Sequence, residues 1–146
     1  MAAMEKEFQV RVITPEKIAY EHAAVSARFP GVDGLIGVLA NHAPMIEAMA
    51  PGILRVCEPE GRTVEMFVSE GFVEVRDNVM KLVCEAGELP EEVDLERAKE
   101  AEARARALLA DRLRVDVDLP RAEAALQRAL FRQRLATRHR ERAAAR

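Results

Sequence analysis

Tryptophan is absent, and the 146 residues include one tyrosine and five phenylalanines. So few rings exclude the stacking platforms on which single-strand nucleic-acid binders lay successive bases. Cysteine is almost absent too. Cys57 and Cys84 both sit inside apolar runs without metal-ligand spacing, which predicts buried free thiols in a reducing compartment. No apolar run approaches the roughly 18 residues a membrane span needs. The N-terminus carries Glu5, Lys6 and Glu7 in place of an apolar stretch, so no secretory signal is expected. Catalytic signatures are missing as well. There is no Walker A sequence, no GxGxxG and no HExxH. His22, His42 and His139 are scattered, with no Ser or Cys in a recognisable motif beside them. His42, in Asn41-His42-Ala43-Pro44, reads as a hydrogen-bonded corner residue, and a hydrolase built on it is the weakest reading of the chain. No metal site and no catalytic cofactor are implied.

What is present is divided unevenly. Residues 1–92 carry 8 Lys+Arg and 16 Asp+Glu, net −8. Residues 93–146 carry 14 and 9, net +5. An acidic module followed by a basic one suggests two surfaces with different partners.

The first module alternates. Phe8, Val10 and Val12 face one way while Gln9 and Arg11 face the other, the period of a half-buried strand. Val25, Ala27 and Phe29 repeat it. Phe29 to Gly52 then holds three of the seven prolines and no lysine or arginine. It alternates turn chemistry at Pro30-Gly31, Asp33-Gly34 and Pro51-Gly52 with apolar runs. Leu35 to Leu39 is expected as a strand buried on both sides. Ile53–Cys57 makes a further strand, closed by a turn at Pro59-Glu60-Gly61. In the next, Val64, Met66 and Val68 alternate with Glu65, Phe67 and Ser69. Phe72–Val75 and Val79–Cys84 flank Asp77-Asn78, a two-residue hairpin turn. Seven or more short strands predict an antiparallel β-sandwich or flattened barrel over residues 1–88.

Glu88 to Val93 is the junction, with 89–93 as linker. Residues 94–146 hold fourteen alanines, one proline and no glycine. Ala98, Ala101, Ala105, Leu108 and Leu109 recur at helical spacing, as do Ala122, Ala125, Leu126, Ala129 and Leu130. Asp116 to Pro120 separates the two stripes, with Pro120 suited to a first helical turn. The pattern predicts an antiparallel two-helix hairpin over 94–146. An alanine seam buries little area, so the hairpin is expected to be marginal and able to change shape. Arg97 and Arg104 are seven apart on one helix, and Arg128 and Arg132 four apart on the other, so each pair shares a face. In an antiparallel hairpin the four guanidinium groups can converge on a phosphate. The competing reading is a solvated basic face with Asp94 as an ordinary helix cap.

Five motifs in order resemble the epsilon subunits of F-type rotary ATP synthase. They are Val12-Ile13-Thr14-Pro15-Glu16, Phe29 to Gly37, Asn41-His42-Ala43-Pro44, Pro51-Gly52-Ile53-Leu54 and Val68 to Val75. The resemblance extends over nearly the whole chain, hairpin included. It implies a non-catalytic central-stalk subunit coupling proton transport to ATP synthesis, peripheral to the cytoplasmic face of the bacterial plasma membrane. It implies a gamma subunit and the rotor ring of c subunits as partners of the sandwich, with Leu35 and His42 at contacts. Many family members have an acidic residue where this chain has Leu35, so an apolar ring contact is implied here. The hairpin is implied to extend along the stalk and inhibit ATP hydrolysis, its basic second helix meeting the alpha/beta head. Residues 121–146 carry 8 Arg and 2 Glu, which suits that contact. Some members bind ATP as a regulatory ligand in the folded hairpin. By resemblance Glu88, Asp94, Arg97, Ala98, Arg104, Arg128 and Arg132 fall on those positions, with Val93 in place of the usual Ile or Leu. Whether Mg²⁺ accompanies the nucleotide stays open. The alternative is a stand-alone nucleotide-binding sensor; a nucleic-acid partner is not expected.

Overall fold

In the computed structural model, residues 6–111, 113 and 115–146 are described; Glu5 lies outside them. The chain divides into two units, residues 1–88 and 89–146.

The first unit is built from strands whose apolar period is two. In β1 (Phe8–Ile13), Phe8, Val10 and Val12 are all buried and Gln9 is exposed, as alternation requires. The unit continues with β2 (Ile18–Ala24), β3 (Ser26–Gly31), β4 (Gly34–Leu39), β5 (Met45–Met49) and β6 (Gly52–Cys57). A one-turn 3₁₀ segment at Pro59–Gly61 leads to β7 (Thr63–Val68), β8 (Gly71–Arg76), β9 (Val79–Cys84) and the two-residue β10 (Gly87–Glu88). They pair in the order β10-β7-β6-β3-β5-β8-β9-β1-β2, with β4 pairing β3 alone. All ladders are antiparallel except one, since β1 and β9 run parallel. The chain leaves β1 through the β1–β2 hairpin and returns to β1's other edge only at β9, so no direct hairpin joins that pair. Asp77 and Asn78 both have positive φ, 52° and 61°, which is the backbone of a type I′ hairpin turn.

The two ends of this strand order meet. The Tyr20 hydroxyl on β2 donates to Glu58 Oε1 at 2.6 Å, beyond the end of β6. Gly87 on β10 lies so close to β1 and β2 that a Cβ there would stand 2.9 Å from Val12 Cγ1 and 3.4 Å from the Ala19 Cβ. The sheet therefore curls into a nearly closed barrel, as a flattened sandwich must. Its core holds Val10, Val12, Phe29, Leu54, Met66, Val73, Met80 and Leu82, each at most 1% exposed.

Three expectations need correction. Leu35 to Leu39 is not buried on both sides: Leu35 and Leu39 are 63% and 64% exposed and only Val38 is buried. With only β3 as a neighbour, β4 is an edge, and one of its faces has no cover. Phe67 and Ser69 do not share an open face with Glu65; Met66 to Ser69 are all buried. Cys84 is buried as expected, but Cys57 is only half-buried, because it lies on the outward face of β6.

The second unit starts with a one-turn 3₁₀ segment, Pro90–Glu92, in which the Glu92 carboxylate accepts from the Leu89 N–H at 2.8 Å. Helix α1 (Leu95–Ala110) is capped by Asp94, whose Oδ1 accepts from the Arg97 N–H at 3.1 Å. Helix α2 (Leu119–Ala144) is capped in the same way by Asp118 on the Arg121 N–H, with Pro120 in its first turn. The helices pack as a folded hairpin of unequal arms, 16 and 26 residues. The buried residues are almost all alanine at a spacing of seven: Ala98 and Ala105 on α1, and Ala122, Ala129 and Ala136 on α2, joined by Leu135.

Candidate functional site

The alanine seam sets how the hairpin's polar groups are distributed. Gln133 Nε2 on α2 donates to Glu102 Oε2 at 2.6 Å and to the Ala98 carbonyl at 3.5 Å on α1. Glu102 Oε1 also accepts from Arg106 Nε at 2.7 Å. The Gln133 amide, then Arg106, hold the Glu102 carboxyl below the usual carboxylate range. Together these bonds close one side of the seam.

The arginines lie on the other side. At about 100° per residue, Arg97 and Arg104 fall on the flank of the Ala98–Ala105 stripe opposite Glu102. Arg128 and Arg132 fall on the flank of the Ala129–Ala136 stripe opposite Gln133. Because α1 and α2 run antiparallel, these are the same side of the hairpin. Gln133 also fixes the level of the two helices, and this sets Arg104 opposite Arg128. Arg97 and Arg104 are exposed, while Arg128 and Arg132 are half-buried. Helical spacing thus puts the four predicted arginines along one edge of the hairpin. The side chain of Ala98 is part of the seam, 4% exposed, and its small size lets the helices approach. Asp94 has one carboxylate oxygen committed to the α1 cap. Glu88 is half-buried and belongs to the first unit, where it ends β10 and pairs with Phe67 on β7.

Leu35 and His42 are not brought together. Leu35 stands beside the β3–β4 turn, opposite Pro30. His42 follows the far end of β4, half-buried, its ring Nδ1 2.7 Å from the Ala43 carbonyl, the arrangement of a corner residue. That corner is tied to the β8–β9 turn, for Asn78 accepts from the Asn41 N–H at 2.8 Å and donates to the Glu7 carbonyl at 2.8 Å.

Leu35, expected at a partner contact, is part of a wider exposed apolar surface that sequence reasoning did not single out. Val32, Leu35 and Leu39 on the β3–β4 hairpin are exposed, and so are Ile46 on β5 and Phe72 on β8. Ile46 is 72% exposed, and Phe72, paired with Ala48, is 47% exposed. Apolar groups at both phases of the strand period were the available signal, since neither Met45–Met49 nor Phe72–Val75 has a fully polar face. Among the described residues no group of His, Cys, Asp and Glu is arranged to hold a metal ion, and no helix is long and apolar enough to cross a membrane.

Comparison with known proteins agrees with this two-part architecture. Residues 7–90 match the beta-sandwich domain of the ATP synthase delta/epsilon chain, and residues 91–137 match its long alpha-helix domain. The ATP synthase epsilon chain of Nitratidesulfovibrio vulgaris strain DP4 is 40% identical over 132 residues, covering 90% of this chain and 97% of that protein. The epsilon chain of Symbiobacterium thermophilum is 42% identical over 131 residues, covering 89% and 93%. Among solved structures, a chain of the Euglena gracilis mitochondrial ATP synthase, seen with OSCP, F1 and the c-ring, shares the fold with a TM-score of 0.74. It is 23% identical and the match covers 88% of this chain and 81% of that one. With both domains matched in order and nearly the full length of its relatives spanned, the chain belongs to the ATP synthase delta/epsilon family, among the epsilon chains.

Proposed function

We propose that this chain is a central-stalk rotor subunit of a bacterial F-type ATP synthase, with a hairpin that restrains ATP hydrolysis and senses ATP. The observation that carries the proposal is the match to both domains of the epsilon chain across 97% of a relative's length. As an epsilon chain it is a non-catalytic subunit of that complex. Its part in proton transport is mechanical, through rotation of the stalk at the cytoplasmic face of the membrane.

The exposed apolar surface of the first unit supports a docking role. Val32, Leu35, Leu39, Ile46 and Phe72 are large apolar side chains left 47–72% exposed, the kind of surface that partners cover. We assign it to the gamma subunit and the c-ring, with Leu35 making an apolar contact at the ring. The basic face of α2 suits an acidic surface on the alpha/beta head. The arginine edge of the hairpin suits the phosphates of ATP, which would favour the folded hairpin over an extended one. At a hundredfold excess over the dissociation constant, binding adds about 2.7 kcal/mol to the folded form, enough to bias a seam made of alanine.

Two experiments test this reading. Ending the chain after Glu88 should raise ATP hydrolysis by the assembled complex, and unchanged hydrolysis would remove the inhibitory role. Isothermal titration of ATP into the isolated chain should give saturable binding that is lost in Arg97→Ala and Arg128→Ala. Binding unchanged by both substitutions would sink the arginine site. Failure to co-purify with a gamma subunit would favour a stand-alone sensor.

A further inference from the structure

A second cluster of cations lies on the sandwich itself. Arg28 on β3 and Arg55 on β6 are direct partners in the ladder, so both side chains leave the same face of the sheet side by side. Both are exposed. Like charges directly opposite one another destabilise a strand pair. Across the next ladder Arg55 faces Glu65, but Arg28 faces Gly37 on β4 and has no carboxylate beside it among the described residues. The row reads Gly37, Arg28, Arg55, Glu65, and Arg28 is its unmatched charge.

The space over this row is concave. A groove of about 430 Å³ is lined by Arg28, Arg55, Ser26, Gly37, Leu39 and Cys57. A Cβ built on Gly37 meets nothing within 4 Å, so the floor beside Arg28 is open. An adjoining groove shares Ser26 and Leu39 and adds a third cation, Lys6. Cations and a hydroxyl thus surround an apolar side chain, Leu39, that is 64% exposed. Cys57 is held below its usual thiol range first by the neighbouring Ser26 hydroxyl, then by Thr63 and Arg55.

We propose that this groove is an anion site in which Arg28 and Arg55 together hold a phosphoryl group, with Ser26 as a further donor. Two guanidinium forks in register match the oxygens of a phosphate better than either alone. The phosphoryl group can belong to a free small molecule or to the headgroup of an anionic phospholipid, whose apolar part would meet Leu39. Every residue lining the groove belongs to the first unit.

Cys57 supplies the readout. In the full-length chain, alkylation of Cys57 is followed by mass spectrometry, with buried Cys84 as the internal reference. One arm adds inorganic phosphate at fixed ionic strength; the other adds phosphatidylglycerol vesicles, with phosphatidylcholine vesicles as control. Saturable protection of Cys57 is expected in at least one arm, and the arm identifies the source of the phosphoryl group. Arg28→Gln and Arg55→Gln should each weaken it about tenfold or more, and Arg97→Ala should leave it unchanged. Arg28→Gln should melt no lower than the parent chain, because it removes the unmatched one of two opposed like charges. No protection in either arm, or protection unchanged by both Gln variants, overturns the proposal.

Discussion

Tyr20 is the only tyrosine in the chain, and it closes the barrel. Its ring is 7% exposed, and its hydroxyl donates at 2.6 Å to Glu58, a carboxylate only 9% exposed. Arg62 is 3.7 Å from the other carboxylate oxygen, on the solvent side. Tyr20→Phe keeps the ring and removes the donor, leaving a buried charge with less than it needs. A hydrogen bond to a charged group of this kind contributes roughly 1.5–3 kcal/mol. For a unit of this size that corresponds to a fall in Tm on the order of 10 °C. Burial first, and then Glu58, push the Tyr20 pKa well above its ordinary value. The sign follows from linkage. Above pH ~10 an unfolded tyrosine ionises while the folded one holds its proton, so the unfolded state binds fewer protons and stability falls as pH rises. The slope is about 1.4 kcal/mol per pH unit for one proton. Urea unfolding from pH 8 to 11, on the parent chain and on Tyr20→Phe, separates this group from the lysines that titrate nearby. The parent's advantage should be full below pH ~10 and shrink above it. The near-UV absorbance of tyrosinate, which reports Tyr20 alone, should appear only as the chain unfolds. A variant within about 0.5 kcal/mol of the parent, or tyrosinate forming in the folded chain near pH ~10, would refute the closing role given to this bond.

Other substitutions test other contacts. At Gly71 a Cβ would overlap the Val83 carbonyl oxygen, so backbone must move; Gly71→Ala should cost about 2 kcal/mol or more by urea unfolding, and a neutral result would contradict the packing of β8 on β9. Leu54→Ala, at a side chain 1% exposed, should cost about 2–5 kcal/mol; less than 1 would mean the core there can collapse. Because Gln133 and Arg106 depress the Glu102 pKa, that carboxylate supports the hairpin above its unfolded pKa and stops doing so as pH falls through the folded one. Helical circular dichroism should therefore decline below pH ~4 in the parent chain and be flatter there in Glu102→Gln; identical acid profiles would remove Glu102 from the clasp.

Local chemistry was legible along the chain. The alternation of Phe8, Val10 and Val12 assigns their faces, because successive side chains of a strand must point opposite ways. Asp77-Asn78 specifies a tight turn, because these residues accept positive φ at little cost. Asp94, Asp118 and Pro120 mark the helix starts, and the alanine stripes with Arg97, Arg104, Arg128 and Arg132 beside them follow from helical spacing. Those statements need only neighbours within a few residues.

Cover and closure needed the tertiary structure. Period and hydropathy say which residues share a face, not whether another element lies over it. For that reason Leu35 to Leu39 read as doubly buried when β4 is an edge with an open face. The parallel pairing of β1 with β9, the bond from Tyr20 to Glu58 across 38 positions, and the opposition of Arg28 to Arg55 each join distant segments. By itself the sequence determined two modules, their strands, turns and helix caps, and the family they belong to. Only the folded chain decided which strands meet and which charges are left facing each other, because pairing between distant strands is set by the competition of all of them for one core.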